Sequence, residues 1–344
     1  MKKYFGKNKK VPNSAIAKKD TFFRAKKSLG LKTDYSFVRA KKALGQNFLK
    51  SIPALNKIVE AGEIFTEDII LEIGPGKGAL TKQLLANSCQ LIAVEKDREL
   101  FDFLQNKFSE EIKNKKLILI KEDILKFDIQ KMDCKFFSGP RVAPIKSEGL
   151  NQTSSKNFIP FLGNYKIIAN IPYNITGAIL KKFLTEKNQP SMMILMIQKE
   201  VAKRIIAKDG KESILSISVK AYGEPKIIMK VPAQYFSPAP KVDSAVIAIK
   251  NISRKNFNSP LEEYPLGGGR NASTPSRKRA TPQEGKVNEK LFWEIVHAGF
   301  AHKRKKLSSN LKKYIGKASV DSLGNKRAEE LTLKDWIDLV KMVQ

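Results

Sequence analysis

The chain has 344 residues, 42% of them hydrophobic and 28% charged, and a formal net charge of +30. That length and apolar content exclude global disorder and suffice for one large or two modest domains. An ordinary soluble enzyme has no need of so large a charge, which costs stability by self-repulsion and points to a polyanionic partner.

In chain order, residues 1–50 carry 15 Lys and Arg against two Asp. Residues 1–35 lack sustained apolar periodicity and read as a basic, flexible arm. Arg24–Gly30 (RAKKSLG) echoes Arg39–Gly45 (RAKKALG), a single local duplication and not a repeat architecture. The first residues have no apolar segment of the signal-peptide kind, and no stretch approaches the length of a membrane-spanning helix. An organellar presequence is the alternative reading of the basic arm, but the arm is Lys-rich where such peptides favour Arg, so the expected compartment is the cytoplasm. Cys89 and Cys134 are far apart and lack metal-ligand spacing, so neither a disulfide framework nor a metal site is expected.

From Ile69 onward, strand-like and helix-like segments alternate. Strands are expected at 69–73, 91–95, 117–121, 166–170, 192–198, 226–231 and 244–249, and helices at 79–87, 97–108, 176–185 and 199–207. Continuously apolar strands spaced by helices predict a mostly parallel α/β sheet of seven strands covered on both faces. The last two strands are joined only by the loop Pro232–Asp243, which predicts an antiparallel hairpin at one edge. Two stretches rich in Ser, Pro, Gly and Asn or in basic residues, 134–163 and 255–285, read as surface insertions or linkers. Helices are expected again at 288–301, 303–314, near 319–330 and at 333–342. The resulting division is an arm at 1–35, an α/β domain at 36–254 interrupted by 134–163, a linker at 255–285 and a small all-α domain at 286–344.

Leu71-Glu72-Ile73-Gly74-Pro75-Gly76-Lys77-Gly78 follows a strand and opens a helix. Glycines there let backbone approach a ligand closely. The spacing is G-x-G-x-G, with Ala79 where a dinucleotide fingerprint has its third glycine, and no Gly-Lys-Ser/Thr follows. This suits a loop for S-adenosylmethionine. Glu95 ends the second strand, where a carboxylate can take both ribose hydroxyls, whereas Asp97 is better suited to capping the next helix. Asp123, beyond the third strand, can accept from an adenine amino group.

Asn170-Ile171-Pro172-Tyr173 ends the apolar run Ile167-Ile168-Ala169. An amide oxygen and a main-chain carbonyl can both accept from an exocyclic NH2, and the Tyr173 ring can stack on the base. A second aromatic-proline motif, Phe236-Ser237-Pro238-Ala239-Pro240, sits in a loop whose prolines argue against ordinary core packing of Phe236.

Five segments carry a resemblance: Lys42–Leu49 (KALGQNFL), Glu72–Gly78, Asn170–Asn174 (NIPYN), Phe236–Ser244 (FSPAPKVDS) and Phe300–Leu307 (FAHKRKKL). In content and order they resemble the ribosomal RNA adenine N6-dimethyltransferase family of the small-subunit, kasugamycin-sensitivity type. The resemblance implies a class I, Rossmann-like, S-adenosylmethionine-dependent methyltransferase fold with a small C-terminal all-α domain. It implies dimethylation of N6 on two adjacent adenosines in the 3′-terminal hairpin of 16S rRNA, and a role in small-subunit biogenesis. Asn47 and Leu49 would close over S-adenosylmethionine, with Gly74 and Gly76 lining its methionine side, Glu95 at the ribose and Asp123 at the adenine. Asn170 would sit between cofactor and target base and, with the Pro172 carbonyl, accept from N6. Tyr173 and Phe236 would hold the base between two rings. Lys303, Arg304, Lys305 and Lys306 would lie on the RNA backbone. The implied partner is the small ribosomal subunit, bound by a monomer without metal or membrane. Two other readings stay open. The large-subunit rRNA adenine methyltransferases of macrolide resistance share three of these segments, though Gly45-Gln46-Asn47 and the Phe300–Leu307 run favour the small-subunit type. A non-catalytic assembly factor on the same fold is the other, opposed by the intact glycine loop, Glu95 and Asn170.

Overall fold

The central strands of the main sheet are short and almost wholly apolar, and their arrangement follows from burying both faces, whereas the edge strand β7 carries Glu224, Lys226 and Lys230. The structure, a computed structural model, describes residues 39–41, 44–87, 90–132, 164–257, 287–314 and 325–343. The basic arm, the stretch 134–163, nearly all of 255–285, and Cys89 and Cys134 lie outside the described residues.

A two-residue strand β1 (Phe48–Leu49) precedes helix α1 (Ile52–Ala61), which is capped by the Ser51 side chain and carries Pro53 in its first turn. Then follow β2 (Ile69–Ile73), α2 (Ala79–Leu85), β3 (Gln90–Glu95), α3 (Arg98–Lys107), α4 (Ser109–Lys113) and β4 (Leu117–Lys121). After the undescribed stretch come β5 (Lys166–Asn170), α5 (Thr176–Thr185), β6 (Met192–Gln198), α6 (Lys199–Ile206), α7 (Ile214–Lys220), β7 (Glu224–Val231), β8 (Phe236–Ser237) and β9 (Ser244–Lys250). The seven-stranded sheet has the order β4-β3-β2-β5-β6-β9-β7. Its first five strands are parallel, and β9 runs antiparallel to both β6 and β7. The expected hairpin is thus present, with β9 inserted inward and β7 left at the edge.

Strand alternation divides the core in two. Ile69, Leu71 and Ile73 face one apolar cluster with Ile167, Leu195 and Ile247. Ile70 faces the other with Ile168, Ile194, and Leu55 and Ile58 of α1. Strand order reverses between β2 and β5, a switch point where the carboxyl ends of α/β strands leave a crevice. The glycine loop leaves β2 at that crevice and the Asn170 motif leaves β5 beside it.

The C-terminal helices α8 (Glu289–Phe300), α9 (Leu307–Leu311) and α10 (Leu333–Lys341) share the first cluster through Phe292, Ile295 and Trp336. A Cβ on Gly299 would lie 2.3 Å from Trp336, so α8 and α10 pack at the closest approach that glycine permits. Tyr222 at the end of α7 donates to Glu289 of α8, which also pairs with Arg254, and Trp293 donates to the Tyr222 oxygen at 3.1 Å. The expected helix at 303–314 is shorter than its apolar pattern suggested, because Lys303 to Lys305 lie in a turn and helical geometry begins at Leu307. In a helix Lys303 and Lys306 would stand three apart on one face, a like-charge pair. Of the piece expected near 319–330, residues 315–324 lie outside the described residues and Ala328–Glu330 form a 3-10 turn. No helix among the described residues is long and apolar enough to cross a membrane.

Candidate active site

Asn170 is the last residue of β5, and its Nδ2 donates to the Asn47 carbonyl at 3.1 Å. With the nitrogen so engaged, the amide oxygen is the acceptor left for a ligand. Asn47 belongs to a strap, residues 44–50, that crosses the carboxyl edge of the sheet. The strap is held at several points. Phe48 and Leu49 pair antiparallel with Ser237 and Phe236, and Lys50 N donates to the Tyr235 carbonyl at 2.8 Å. Lys41 Nζ and Gln46 Nε2 reach the two carboxylate oxygens of Asp97 at 2.8 and 3.1 Å, while Gln46 Oε1 accepts from Lys41 N at 2.8 Å. A Cβ on Gly45 would meet Asn174 at 3.2 Å, which places the strap directly on the turn after β5.

The glycine loop takes the backbone form that its residues allow. Gly74 and Gly76 have φ of 63° and 61°, a region costly for any residue with a side chain. A Cβ on Gly76 would lie 3.0 Å from the Phe48 ring, so strap and loop leave no room for one. Gly76 N donates to Glu95 Oε2 at 3.2 Å and Asp97 N to Glu95 Oε1 at 2.8 Å. Glu95 is 5% exposed at the end of β3, and burial raises its pKa against the pull of those two N–H groups. Asp97 caps α3, accepting from Glu99 N at 2.9 Å. Burial opposes its ionisation, but the Lys41 and Gln46 hydrogen bonds prevail and hold its carboxyl below the usual range. Asp123 pairs with Lys96 at 2.8 Å, which lowers its pKa, and accepts from Leu125 N at 3.0 Å.

Pro172 leads into a 3-10 turn at Tyr173–Ile175, and its carbonyl accepts a 3.3 Å bond from Ile175 N, leaving its second lone pair uncommitted. Tyr173 is partly buried, and its hydroxyl is hydrogen-bonded to that of Ser244. Burial raises the Tyr173 pKa, so the ring stays neutral. Phe236 differs from expectation. It is 2% exposed, packed in the second apolar cluster with Leu49 and Val231, because pairing of β8 with the strap turns its ring inward.

The structure links Asn47 to Asn170, Gly76 to Glu95 and Gly74 to Pro172 along this edge of the sheet, with Asp123 at the neighbouring strand end, whereas Leu49 and the Phe236 ring are buried in the core behind the strap. Lys303, Arg304, Lys305 and Lys306 are exposed at the start of the turn before α9, and none forms an ion pair with another described residue. No group of His, Cys, Asp or Glu among the described residues could hold a metal ion. Sequence reasoning passed over Lys41, and placed Gln46, Glu72 and Ser244 in motifs without giving them a role. Glu72 lies within β2, 1% exposed, with Oε2 unpartnered beside the buried Thr81. An acid inside an otherwise aliphatic strand was the available signal.

Comparison with known proteins decides the family. The model of the ribosomal RNA adenine dimethylase family matches residues 37–264. The chain belongs to this family. A ribosomal RNA small subunit methyltransferase A from Dehalococcoides mccartyi is 35% identical over 87% of each chain. Its counterpart from Fusobacterium nucleatum is 32% identical over 88% of this chain and 97% of that one. Among solved structures, a dimethyladenosine transferase from Plasmodium falciparum aligns with a TM-score of 0.59 and 22% identity, over 85% of this chain and 95% of that one. The 23S rRNA methyltransferase ErmE aligns with a TM-score of 0.57 and 20% identity, over 86% and 99% of the two chains. Both share the fold of this adenine dimethylase, a Rossmann-like mixed sheet followed by C-terminal helices.

Proposed function

We propose that this adenine dimethylase methylates N6 of adenosines in small-subunit ribosomal RNA, using S-adenosylmethionine, with Asn170 as the residue that handles the target amine. The observation that carries this reading is the bond from Asn170 Nδ2 to the Asn47 carbonyl, which commits one end of the amide and turns the other to the crevice. The crevice suits the cofactor chemically. Two positive-φ glycines form a loop without side chains, Glu95 offers a fixed carboxylate at the end of β3, Asp123 offers another beyond β4, and the strap residue Phe48 lies over the loop at Gly76. Bound S-adenosylmethionine supplies an electrophilic methyl group.

An aryl amine is a poor nucleophile because its lone pair is delocalised into the ring. Hydrogen bonds from N6–H to Asn170 Oδ1 and the Pro172 carbonyl favour a more tetrahedral nitrogen and stabilise the positive charge that develops on it. Holding the amine in line with the methyl supplies much of the remaining acceleration. The base leaves its own stack and lies against Tyr173, an interaction of about 1–3 kcal/mol. The Phe236 ring is turned into the core and packs with Leu49, so it backs the strap and does not stack on the base. The neutral, hydrogen-bonded Tyr173 is not a base, and the proton of the methylated nitrogen passes to water. A second methylation requires the pocket to accept one N6-methyl group. The exposed Lys303–Lys306 run supplies phosphate contacts.

The test is transfer of tritiated methyl from S-adenosylmethionine to unmethylated small subunits, with large subunits as control and nucleoside chromatography of the product. Dimethyladenosine from small subunits alone is expected. Label confined to large subunits would overturn the substrate assignment. Asn170→Ala should abolish nearly all turnover while cofactor binding survives, and wild-type turnover by that variant would remove Asn170 from the mechanism.

A further inference from the structure

We infer that Ser244 is a positioning residue for the target base, acting through the hydroxyl of Tyr173. The inference rests on the reading of Tyr173 as the platform on which the base stacks.

Ser244 opens β9 and is 0% exposed, at the head of a strand that continues Ala-Val-Ile-Ala-Ile before ending at Lys250. A buried hydroxyl without a partner costs about 1–3 kcal/mol, so a serine there needs a partner. That partner is the Tyr173 hydroxyl. The anchor is rigid. Ser244 stands in register with Gln198 at the end of β6 and with Val231 at the end of β7, so its backbone is fixed from both sides. The preceding residue, Asp243, accepts from Ala233 N at 3.3 Å and pairs with Lys199 at 3.2 Å, which ties the approach to β9 as well.

Tyr173 is held at its other end too. It follows β5, and its carbonyl accepts from Thr176 Oγ1 at 3.1 Å. Strand β6 lies between β5 and β9, so the ring spans from the carboxyl end of β5, past that of β6, to the amino end of the antiparallel β9. A ring anchored at Cα and at its para oxygen can turn only about its long axis. Its tilt and its height above the sheet are set. For a stacking surface, those quantities decide how far the amine of the base stands from Asn170 Oδ1, one turn upstream. Small errors in that distance are costly in transfer reactions. The hydroxyl of Tyr173 is thereby a structural pin: it faces Ser244 and takes no part in proton transfer.

The test is a double-mutant cycle on the full chain with unmethylated small subunits as substrate. Ser244→Ala and Tyr173→Phe should each lower kcat/KM for the subunit by roughly ten-fold, in line with loss of one ordered stacking contact. The Kd of S-adenosylmethionine, measured by calorimetry, should stay within about two-fold, since the bond they share lies between β5 and β9 while the glycine loop follows β2. The double variant should be no worse than either single one, because both remove the same bond. Ser244→Cys, which keeps the volume and loses the strong hydrogen bond, should match Ser244→Ala. Multiplicative losses in the double variant, or wild-type kinetics for Ser244→Ala, would overturn the inference while leaving the enzyme's function intact. If Ser244→Ala does not fold, Tyr173→Phe reads the same bond from a partly exposed ring, and unchanged kinetics there would equally overturn it. Absence of transfer by the wild-type chain would instead remove the functional reading itself.

Discussion

Replacing Glu72 by Gln should stabilise this protein, and more so as pH rises. The carboxyl lies within β2, fully buried, with Oε2 unpartnered. Its pKa is pushed up from 4.5 to about 8, first by burial and further by the charge of Glu95, with the neighbouring Thr81 pulling back. Between those two values the folded protein keeps a proton that the unfolded chain has released. Stability is therefore fully present below about pH 4.5, falls by about 1.4 kcal/mol per pH unit above it, and levels off beyond about pH 8. The whole loss is on the order of 5 kcal/mol, a large fraction of the roughly 5–15 kcal/mol that holds most proteins folded. Glu72→Gln preserves the shape and removes the titration. Urea melts at constant ionic strength, compared at about pH 5.5 and about pH 8.5, should show the variant gaining about 3 kcal/mol on the wild type between them. Parallel pH profiles for the two proteins would refute the account of Glu72 as a buried acid held neutral under the loop.

Two further perturbations test the loop and the basic turn. Gly78 has φ of 73°, and a Cβ there would lie 2.5 Å from the Phe108 ring, so Gly78→Ala should cost about 2–4 kcal/mol by urea denaturation; an unchanged midpoint would contradict the packing described. Reversing the charge at Lys303, Arg304, Lys305 and Lys306 together should weaken rRNA binding and flatten the slope of log K against log salt by about 3; an unchanged slope would remove that turn from the RNA contact.

Much of the fold could be read from the chain because the central strands bury both faces. A segment such as Ile167-Ile168-Ala169 has no polar residue to suggest another environment, and β5, β6, β2 and β4 fall where their apolar runs do. Helix α7 was missed for a physical reason. Its sequence, Ile-Leu-Ser-Ile-Ser-Val-Lys, is rich in β-branched residues and only seven residues long, and what makes it helical is the reciprocal capping of Ser213 and Ser216 together with packing. Helix α1 carried a signal that went unused, Ser51 followed by Pro53 in the first turn. Strands β1 and β8 carried none. Two residues cannot display a period, and Leu49 meets Phe236 only once the whole sheet has formed between them.

The candidate site divides along the same line. Gly74, Gly76, the division of labour between Glu95 and Asp97, and the Asn170 turn follow from local position relative to a strand end. The inward ring of Phe236, the Asp97 tether of the strap and the Ser244 pin depend on partners far away in the chain. Asn47 and Asn170 are 123 residues apart, yet their bond fixes which end of the amide faces the crevice. Three consecutive strap residues then serve three different walls. Asn47 orients Asn170, Phe48 lies over the glycine loop at Gly76, and Leu49 pairs with Phe236. The cofactor side and the base side are therefore built on one short run of backbone. Displacing that run by even one residue would exchange its inward and outward side chains and disturb both sides at once. Lys41 and Gln46 hold it in register by gripping Asp97, itself locked as the cap of α3 and as donor to Glu95.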